Sequence, residues 1–311
     1  MKKYLLLLLF LAGCSHISTD MEDTMSAPSG AREDKGSVSP VFVNKEYLVA
    51  DDSVFGMVRY YEVRDSDSLI EIARAFDLGF NEISDANPET DPFVPENGTR
   101  VEVPTEWILP DVKVRDGIII NISERRLFLF PNKNSKFVYT YPIGIGDNGT
   151  ETPKGTFKII QKRVNPNWNV PKSIRKEDPK LPNVVPPGPD NPLGTHALRL
   201  SLPTVLIHGT NRPWGIGRKV SHGCIQLYPE DIPRLFDQVE VGTRVTIVRQ
   251  PVKVGTRGNK VYLEVHRDGK RNYLREALNL LRKKNLLDRV DSESINQAVH
   301  EKSGVPMVIS D

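Results

Sequence analysis

The chain has 311 residues, 38% of them hydrophobic, and its 42 basic side chains nearly balance 40 acidic ones for a formal net charge of +2. That length accommodates two or three domains, and the balance leaves no basic footprint for nucleic acid. With 24 prolines and 22 glycines, the composition suits strands and loops better than a helical bundle.

Residues 1–13 read as a signal segment. Lys2 and Lys3 give a positive start, and the apolar run Leu5–Ala12 is too short to span a bilayer as mature structure. Leu11-Ala12-Gly13-Cys14 resembles the lipobox of bacterial lipoproteins, which implies cleavage before Cys14 and its acylation. A plain secretory peptide cut nearby is the alternative. A multiply acylated cysteine exceeds what lasting membrane attachment requires. Ser15, rather than Asp, implies by the same resemblance the periplasmic side of the outer membrane. Residues 14–58 read as a tether with a short strand at Val41–Val43; a small folded segment built on Tyr47, Leu48 and Phe55 competes with that reading.

Residues 59–105 change character. Tyr61-Glu62-Val63 alternates as a strand, and Ser66, Asp67 or Ser68 offers a cap for a helix with Leu69, Ile72, Ala73 and Phe76 on one face. Asn81–Ala86 fits a second short helix burying Ile83, and Val101 and Val103 alternate up to Pro104. This βααβ order is similar to a LysM domain, a small α+β fold that binds the N-acetylglucosamine-containing chains of peptidoglycan. Leu69, Ile72, Ala73, Asn87, Gly98 and Val103-Pro104 carry the resemblance, while Ser66 and Ser68 depart from the usual glycine and threonine. A spacer of that shape without glycan affinity is the alternative.

From Val114 the pattern is β. Ile118–Ile122 and Leu127–Phe130 flank Ser123-Glu124-Arg125 as a hairpin, Phe137–Ile143 follows, and Gly155–Ile160 continues the sheet. Lys162–Asp190 is dense in Pro and Asn, and so long a loop within a domain is usually functional. Trp168 inside it is either a wall of a substrate groove or a core residue. Ala197–Leu200, Val205–His208 and Gly242–Val248 read as further strands, with a helix opening near Pro229, Glu230 and Asp231.

Cysteine usage singles out one position. The two cysteines are Cys14 and Cys224, so lipid on Cys14 leaves Cys224 without an intramolecular partner, which in an exported protein calls for an explanation. A thiol with a pKa of about 8.5 is only slightly ionised at neutral pH, so a nucleophile needs a base. His208 fills that role if Gly209, Gly215 and Gly217 let the chain fold back. The residues alone leave open a nucleophile, an inert buried thiol and a zinc ligand. One residue between His222 and Cys224 does not match structural zinc spacings, and no metal is expected. Residues 250–311 add a mixed extension, with a strand at Val261–Val265 and a helical stripe of Leu274, Ala277, Leu278 and Leu281.

Ile207-His208-Gly209-Thr210-Asn211 followed by Val220-Ser221-His222-Gly223-Cys224-Ile225 resembles the active-site signature of the YkuD-type L,D-transpeptidases. The likeness runs over roughly residues 114–250 and includes Thr152–Phe157 and Asn191–Gly194. It implies a mainly β, β-sandwich-like catalytic domain at 114–249, preceded by the LysM domain and followed by the extension. It also implies Cys224 as nucleophile, His208 as proton donor and acceptor, and the Gly209 carbonyl as the group orienting the imidazole. The N–H groups of His222, Gly223 and Cys224 are the implied oxyanion hole. Ser221, Gln226, Trp168 and Asn211 are the expected substrate-binding residues, with Gln226 replacing the usual Arg or Asn.

The implied reaction is acyl transfer on peptidoglycan without a cofactor. Cys224 takes the acyl group of a stem tetrapeptide, releases D-Ala, and hands the acyl group to an amine. That amine belongs to a second stem peptide, giving a 3-3 crosslink, or to a lysine of an outer-membrane lipoprotein. Expected partners are therefore glycan chains, stem peptides and, through Cys14, the membrane. Hydrolysis by the same acyl-enzyme and a non-catalytic wall-binding lipoprotein are the competing functions. Carbapenem-type β-lactams are expected to acylate the same thiol, and His196 and His266 to stand outside the chemistry.

Overall fold

The computed structural model describes residues 45–49, 52–64, 67–133 and 135–310. The signal segment, Cys14, the Val41–Val43 strand and Ser66 lie outside the described residues. Among those described, no helix is long and apolar enough to cross a membrane.

The N-terminal part comprises β1 (Glu46–Leu48), β2 (Val54–Gly56), β3 (Arg59–Glu62), α1 (Leu69–Ala75), α2 (Phe80–Ala86), β4 (Arg100–Val103) and β5 (Glu106–Ile108). Of the three candidate caps for α1, Ser68 is used: its Oγ accepts from Glu71 N at 3.3 Å while its own N–H donates to Glu71 Oε2 at 2.9 Å. This reciprocal box satisfies donors that the helix start would otherwise leave unpaired. Asp67 instead accepts from the Tyr61 hydroxyl and the Arg64 N–H. β3 and β4 pair antiparallel and enclose the two helices, which gives the expected strand, helix, helix, strand order. The tether reading does not hold up to residue 58. β1 pairs with a strand of the large sheet, β2 pairs with β5, and Tyr47 and Phe55 cluster with Trp107 at ring separations of 5.3–5.6 Å. Full burial of an aromatic side chain is worth about 1.5–3 kcal/mol, which outweighs the polar composition around these rings.

The central part comprises β6 (Gly117–Asn121), β7 (Arg126–Phe130), β8 (Phe137–Pro142), β9 (Ile145–Gly146), β10 (Gly155–Val164), β11 (Trp168–Asn169), α3 (Lys172–Glu177), β12 (Val184–Val185), β13 (His196–Leu200), β14 (Leu206–His208), a 3-10 turn at Pro213–Gly215, β15 (Lys219–Ser221), β16 (Ile225–Gln226), α4 (Asp231–Gln238) and β17 (Arg244–Val248). The sandwich-like arrangement comes from one sheet of order β1-β8-β7-β6-β17-β10-β13-β14-β16. β10 joins its two halves, pairing with β17 over Gly155–Lys158 and with β13 over Ile159–Val164, with a register break between Ile159 and Gln161.

Alternation makes β6 and β7 a wall between two cores. Ile118, Ile120, Leu127 and Leu129 face the catalytic core with Ile207, Ile225 and Ile232. Ile119, Phe128 and Phe130 face the N-terminal core with Leu69, Ile72 and Trp107. Successive strand residues point to opposite faces, so the same hairpin serves both. Two buried ion clusters strengthen this seam. Arg126 pairs through two hydrogen bonds of 2.8 Å with Glu82 of α2, and Lys45 bridges Asp77 and Asp231.

The C-terminal part comprises β18 (Val252–Arg257), β19 (Lys260–Val265), α5 (Tyr273–Lys283), α6 (Ser292–Glu301) and β20 (Met307–Val308) around its own core. It is joined to the rest by Lys253, fully enclosed between Glu124 of the β6–β7 turn and Glu264 at 2.6 and 2.7 Å. Burial alone pushes the Lys253 pKa down, but the two carboxylates outweigh this and hold it above the usual lysine range. Glu124, Glu264 and His266 have the donor set of a metal site. The Lys253 ammonium already supplies the positive charge there.

Candidate active site

β14 and β16 are adjacent and parallel, with Ile207 opposite Ile225 and His208 opposite Gln226. Ile207 and Ile225 face the catalytic core, so Leu206, His208, Cys224 and Gln226 share the other face. The fold-back is therefore made by strand pairing, and it sets the imidazole and the thiol on neighbouring strands, one diagonal step apart. Strands about 4.8 Å apart and an offset of two residues, each rising about 3.3 Å, separate the two Cα atoms by roughly 8 Å, a span that a histidine and a cysteine side chain turned toward each other can bridge.

His208 is buried, and its Nδ1 lies 2.6 Å from the Gly209 carbonyl oxygen. A carbonyl can only accept, so Nδ1 carries the hydrogen and Nε2 keeps its lone pair. Burial pushes the His208 pKa down to about 4, against the opposing pull of the Gly209 and Leu193 backbone. The ring is thus neutral at physiological pH and able to take a proton. Cys224 is half-buried, and burial raises its pKa, partly offset by the Leu206 backbone. Its Sγ contacts the Thr204 carbonyl oxygen at 3.7 Å, and no hydrogen bond joins it to His208. The thiol–imidazole hydrogen bond expected from the sequence is absent: His208 lies opposite Gln226 rather than Cys224, and the thiol donates to Thr204 O instead. Transfer of the thiol proton to His208 requires the S–H to leave the Thr204 carbonyl.

The loop before Cys224 is held by its carbonyls. Asp147 N–H donates to Ser221 O at 2.8 Å, Thr152 Oγ1 to Gly223 O at 3.1 Å, and Ser221 Oγ to Cys224 O at 2.6 Å. The N–H groups of His222, Gly223 and Cys224 have no acceptor among the described residues. Gly223 makes the required turn at φ +100, a backbone region that favours glycine. Unengaged donors on a rigidly held loop are what an oxyanion hole needs.

The other candidates divide. Gln226 exchanges two main-chain hydrogen bonds of 2.9 Å with Gly144, and its side-chain amide has no hydrogen-bond partner among the described residues. Trp168 is half-buried in the short β11–β12 ladder of the proline-rich loop. Asn211 donates to the Asp190 carbonyl at the end of that loop. His222 is exposed and meets Glu177 of α3 at 3.0 Å. His196 stacks on Phe236, and His266 belongs to the buried Glu264 cluster, so neither shares the Cys224 face. Sequence reasoning gave no separate role to Thr152, which pins the Gly223 carbonyl, or to Asn191. The fully buried Asn191 amide donates to the Pro166, Val185 and Pro186 carbonyls and holds the loop's two ends. An asparagine set between Pro189 and Pro192 is a visible signal; the Thr204 and Leu193 main-chain groups leave none.

The L,D-transpeptidase catalytic domain (YkuD) model matches residues 115–247. The probable L,D-transpeptidase ErfK/SrfK of Escherichia coli K12 is 39% identical over 255 residues, covering 76% of this chain and 81% of that protein. The chain belongs to the L,D-transpeptidase family. The Salmonella typhimurium ErfK/SrfK, also called a probable L,D-transpeptidase, is 38% identical over 258 residues, with 82% of its length covered. The probable L,D-transpeptidase YcfS of E. coli K12 is 45% identical over 212 residues, but the match spans only 65% of either chain. The β14–β16 pair and the loop before Cys224 lie inside the L,D-transpeptidase catalytic domain so delimited.

Proposed function

We propose that the chain is a peptidoglycan L,D-transpeptidase working through a Cys224 thioester. The Cys224 thiol gives its proton to His208 Nε2, and the sulfur attacks the carbonyl joining the diamino-acid residue of a stem tetrapeptide to its terminal D-Ala. The carbonyl oxygen takes up negative charge toward the N–H groups of His222, Gly223 and Cys224. As the C–N bond breaks, His208 returns the proton to the departing D-Ala amine. An incoming amine then attacks the thioester, loses a proton to His208, and the sulfur leaves and is reprotonated. The observation that carries this reading is the buried, neutral imidazole, fixed through Nδ1 on Gly209 O at 2.6 Å, diagonal to a half-buried thiol. General base catalysis of this kind contributes about 10²–10⁴-fold.

The acceptor is a primary amine, either the side chain of a second stem peptide or a lysine of an outer-membrane lipoprotein. We further propose that the βααβ unit is a LysM domain. Its strand order supports this, as does Asn87, whose side chain bonds both the carbonyl and the N–H of Glu102 at 2.8 Å. Phe93 and Val94, 61% and 79% exposed in the loop after α2, offer apolar surface to a sugar chain. The Leu11-Ala12-Gly13-Cys14 run supports a lipid anchor on Cys14 and a periplasmic site at the outer membrane. Incubation of residues 15–311 with purified muropeptides, followed by mass analysis, tests the reading. Crosslinked dimers with release of D-Ala are expected. Shortened monomers would mean hydrolysis, and unchanged material would refute both.

A further inference from the structure

We propose that the N-terminal βααβ unit positions the catalytic loop, acting through Gly79 and Phe80 on Gly217 and Arg218. This rests on the reading of Cys224 as the nucleophile. The loop between His208 and Cys224 is gripped from two sides at residues 216–218. On the inner side, Gly217 N–H donates to Ile143 O and Ile145 N–H donates to Arg218 O, each at 3.1 Å. On the outer side, Phe80 N–H donates to Ile216 O at 3.1 Å, and the Arg218 guanidinium lies 3.8 Å from the centre of the Phe80 ring.

The two backbones meet with no room between them. Gly217 has φ +82, and a Cβ there would fall 2.2 Å from Phe80 N and 2.6 Å from Gly79 C. A Cβ on Gly79 would fall 2.7 Å from Gly217 Cα. Only a glycine pair permits this approach. Arg218 accepts a desolvated position to make it, with Nε and Nη2 buried and unpartnered.

The contact sits immediately before the chemistry. Arg218 is followed by β15, which pairs with β9 and runs into Ser221 and the unengaged N–H groups of His222–Cys224. A displacement at 216–218 therefore passes along three residues of strand into the proposed oxyanion hole. Attachment of the unit does not depend on this contact. Glu82–Arg126, Arg74–Glu230 and the Tyr228 hydroxyl on Leu78 O hold it elsewhere along the seam. Gly79 and Phe80 touch no reacting atom in this arrangement, and are positioning residues.

The test uses the full chain with Phe80→Ala, Phe80→Tyr and Gly79→Ala. Three quantities are read: the rate of Cys224 acylation by a carbapenem, amide hydrogen exchange over residues 215–224, and Tm. Misplacing a reacting group by a fraction of an ångström to 1 Å costs up to about 100-fold, so Phe80→Ala is expected to slow acylation at least about tenfold and to speed exchange in 215–224. Its Tm should stay within about 4 °C, the shift that roughly 1 kcal/mol produces, and Phe80→Tyr should restore both rates. Gly79→Ala should have a larger effect in the same direction; if it does not fold, Phe80→Ala decides. Wild-type acylation and exchange rates in folded Phe80→Ala overturn the proposal. Failure of the wild-type chain to react with the carbapenem counts against the Cys224 assignment instead, and the exchange rates still test the grip itself.

Discussion

Arg126→Met removes the cation at the centre of the seam between the N-terminal and catalytic cores. The guanidinium is fully buried, with Nε and Nη2 each 2.8 Å from a Glu82 oxygen, Nη1 3.1 Å from Thr140 Oγ1, and the Trp107 ring centre 4.4 Å away. The Glu82 side chain is 4% exposed. Once the arginine is gone, the Glu82 carboxylate keeps two neutral donors among the described residues, the Trp107 Nε1–H at 3.0 Å and the Gly79 N–H at 2.7 Å. Breaking a buried pair by deleting one partner costs about 3–5 kcal/mol, because the remaining charge is uncompensated. For a folded body of this size each kcal/mol moves Tm by about 2–4 °C, so the loss corresponds to a fall of about 6–20 °C. Trp107 is 2% exposed and touches the pair directly, so its fluorescence in a Trp168→Phe, Trp214→Phe background reports unfolding at the seam. Adding Glu82→Gln to Arg126→Met removes the stranded charge and should recover much of the loss. A fall below about 3 °C, or a double variant no more stable than the single one, refutes the reasoning.

Three further outcomes follow from buried groups. His208 has a pKa depressed to about 4, so the unfolded chain binds the extra proton first; stability should fall as pH drops from about 6.5 toward 4, by roughly 3 kcal/mol in all, and His208→Gln should abolish that slope in urea titrations at stepped pH. Lys253→Met strands the buried Glu124 and Glu264 carboxylates together and should cost about 3–5 kcal/mol, while combining it with Glu124→Gln should cost less; equal losses would contradict the charge argument. Asn191→Ala leaves the Pro166, Val185 and Pro186 carbonyls without their shared donor, at about 1–3 kcal/mol, and should accelerate tryptic cleavage at Lys172, Arg175 and Lys176; an unchanged cleavage rate would show that another contact holds the loop.

Much of the catalytic sheet is legible in the sequence because its strands are long and apolar. Ile118–Ile122 and Leu127–Phe130 read as a hairpin, and the structure pairs Gly117–Asn121 with Arg126–Phe130 around Arg125 at φ +57. β1, β2 and β5 are three residues each, too short for alternation to show, so the sequence does not mark where the tether ends and the fold begins. α6 buries only Ile295 and Ala298 in a polar run, which gives no clear stripe. The motif suggests that the chain folds back between His208 and Cys224, and the two do lie on neighbouring strands; the thiol's bond to Thr204 O cannot be read, since it involves a main-chain atom that no side-chain pattern encodes. The seam was invisible for a similar reason. Glu82 and Arg126 stand 44 positions apart, and nothing local marks either as buried.

Intact-mass measurement of the chain mixed with a tetrapeptide-bearing muropeptide and no acceptor bears most directly on Cys224 and His208. The wild-type chain should gain the mass of the donor less D-Ala, mapped by peptide digestion to Cys224 and released by an added amine. Cys224→Ala should gain nothing, and His208→Gln should gain it at least about 100-fold more slowly. An adduct on any other residue, or D-Ala release that persists in Cys224→Ala, would contradict the account.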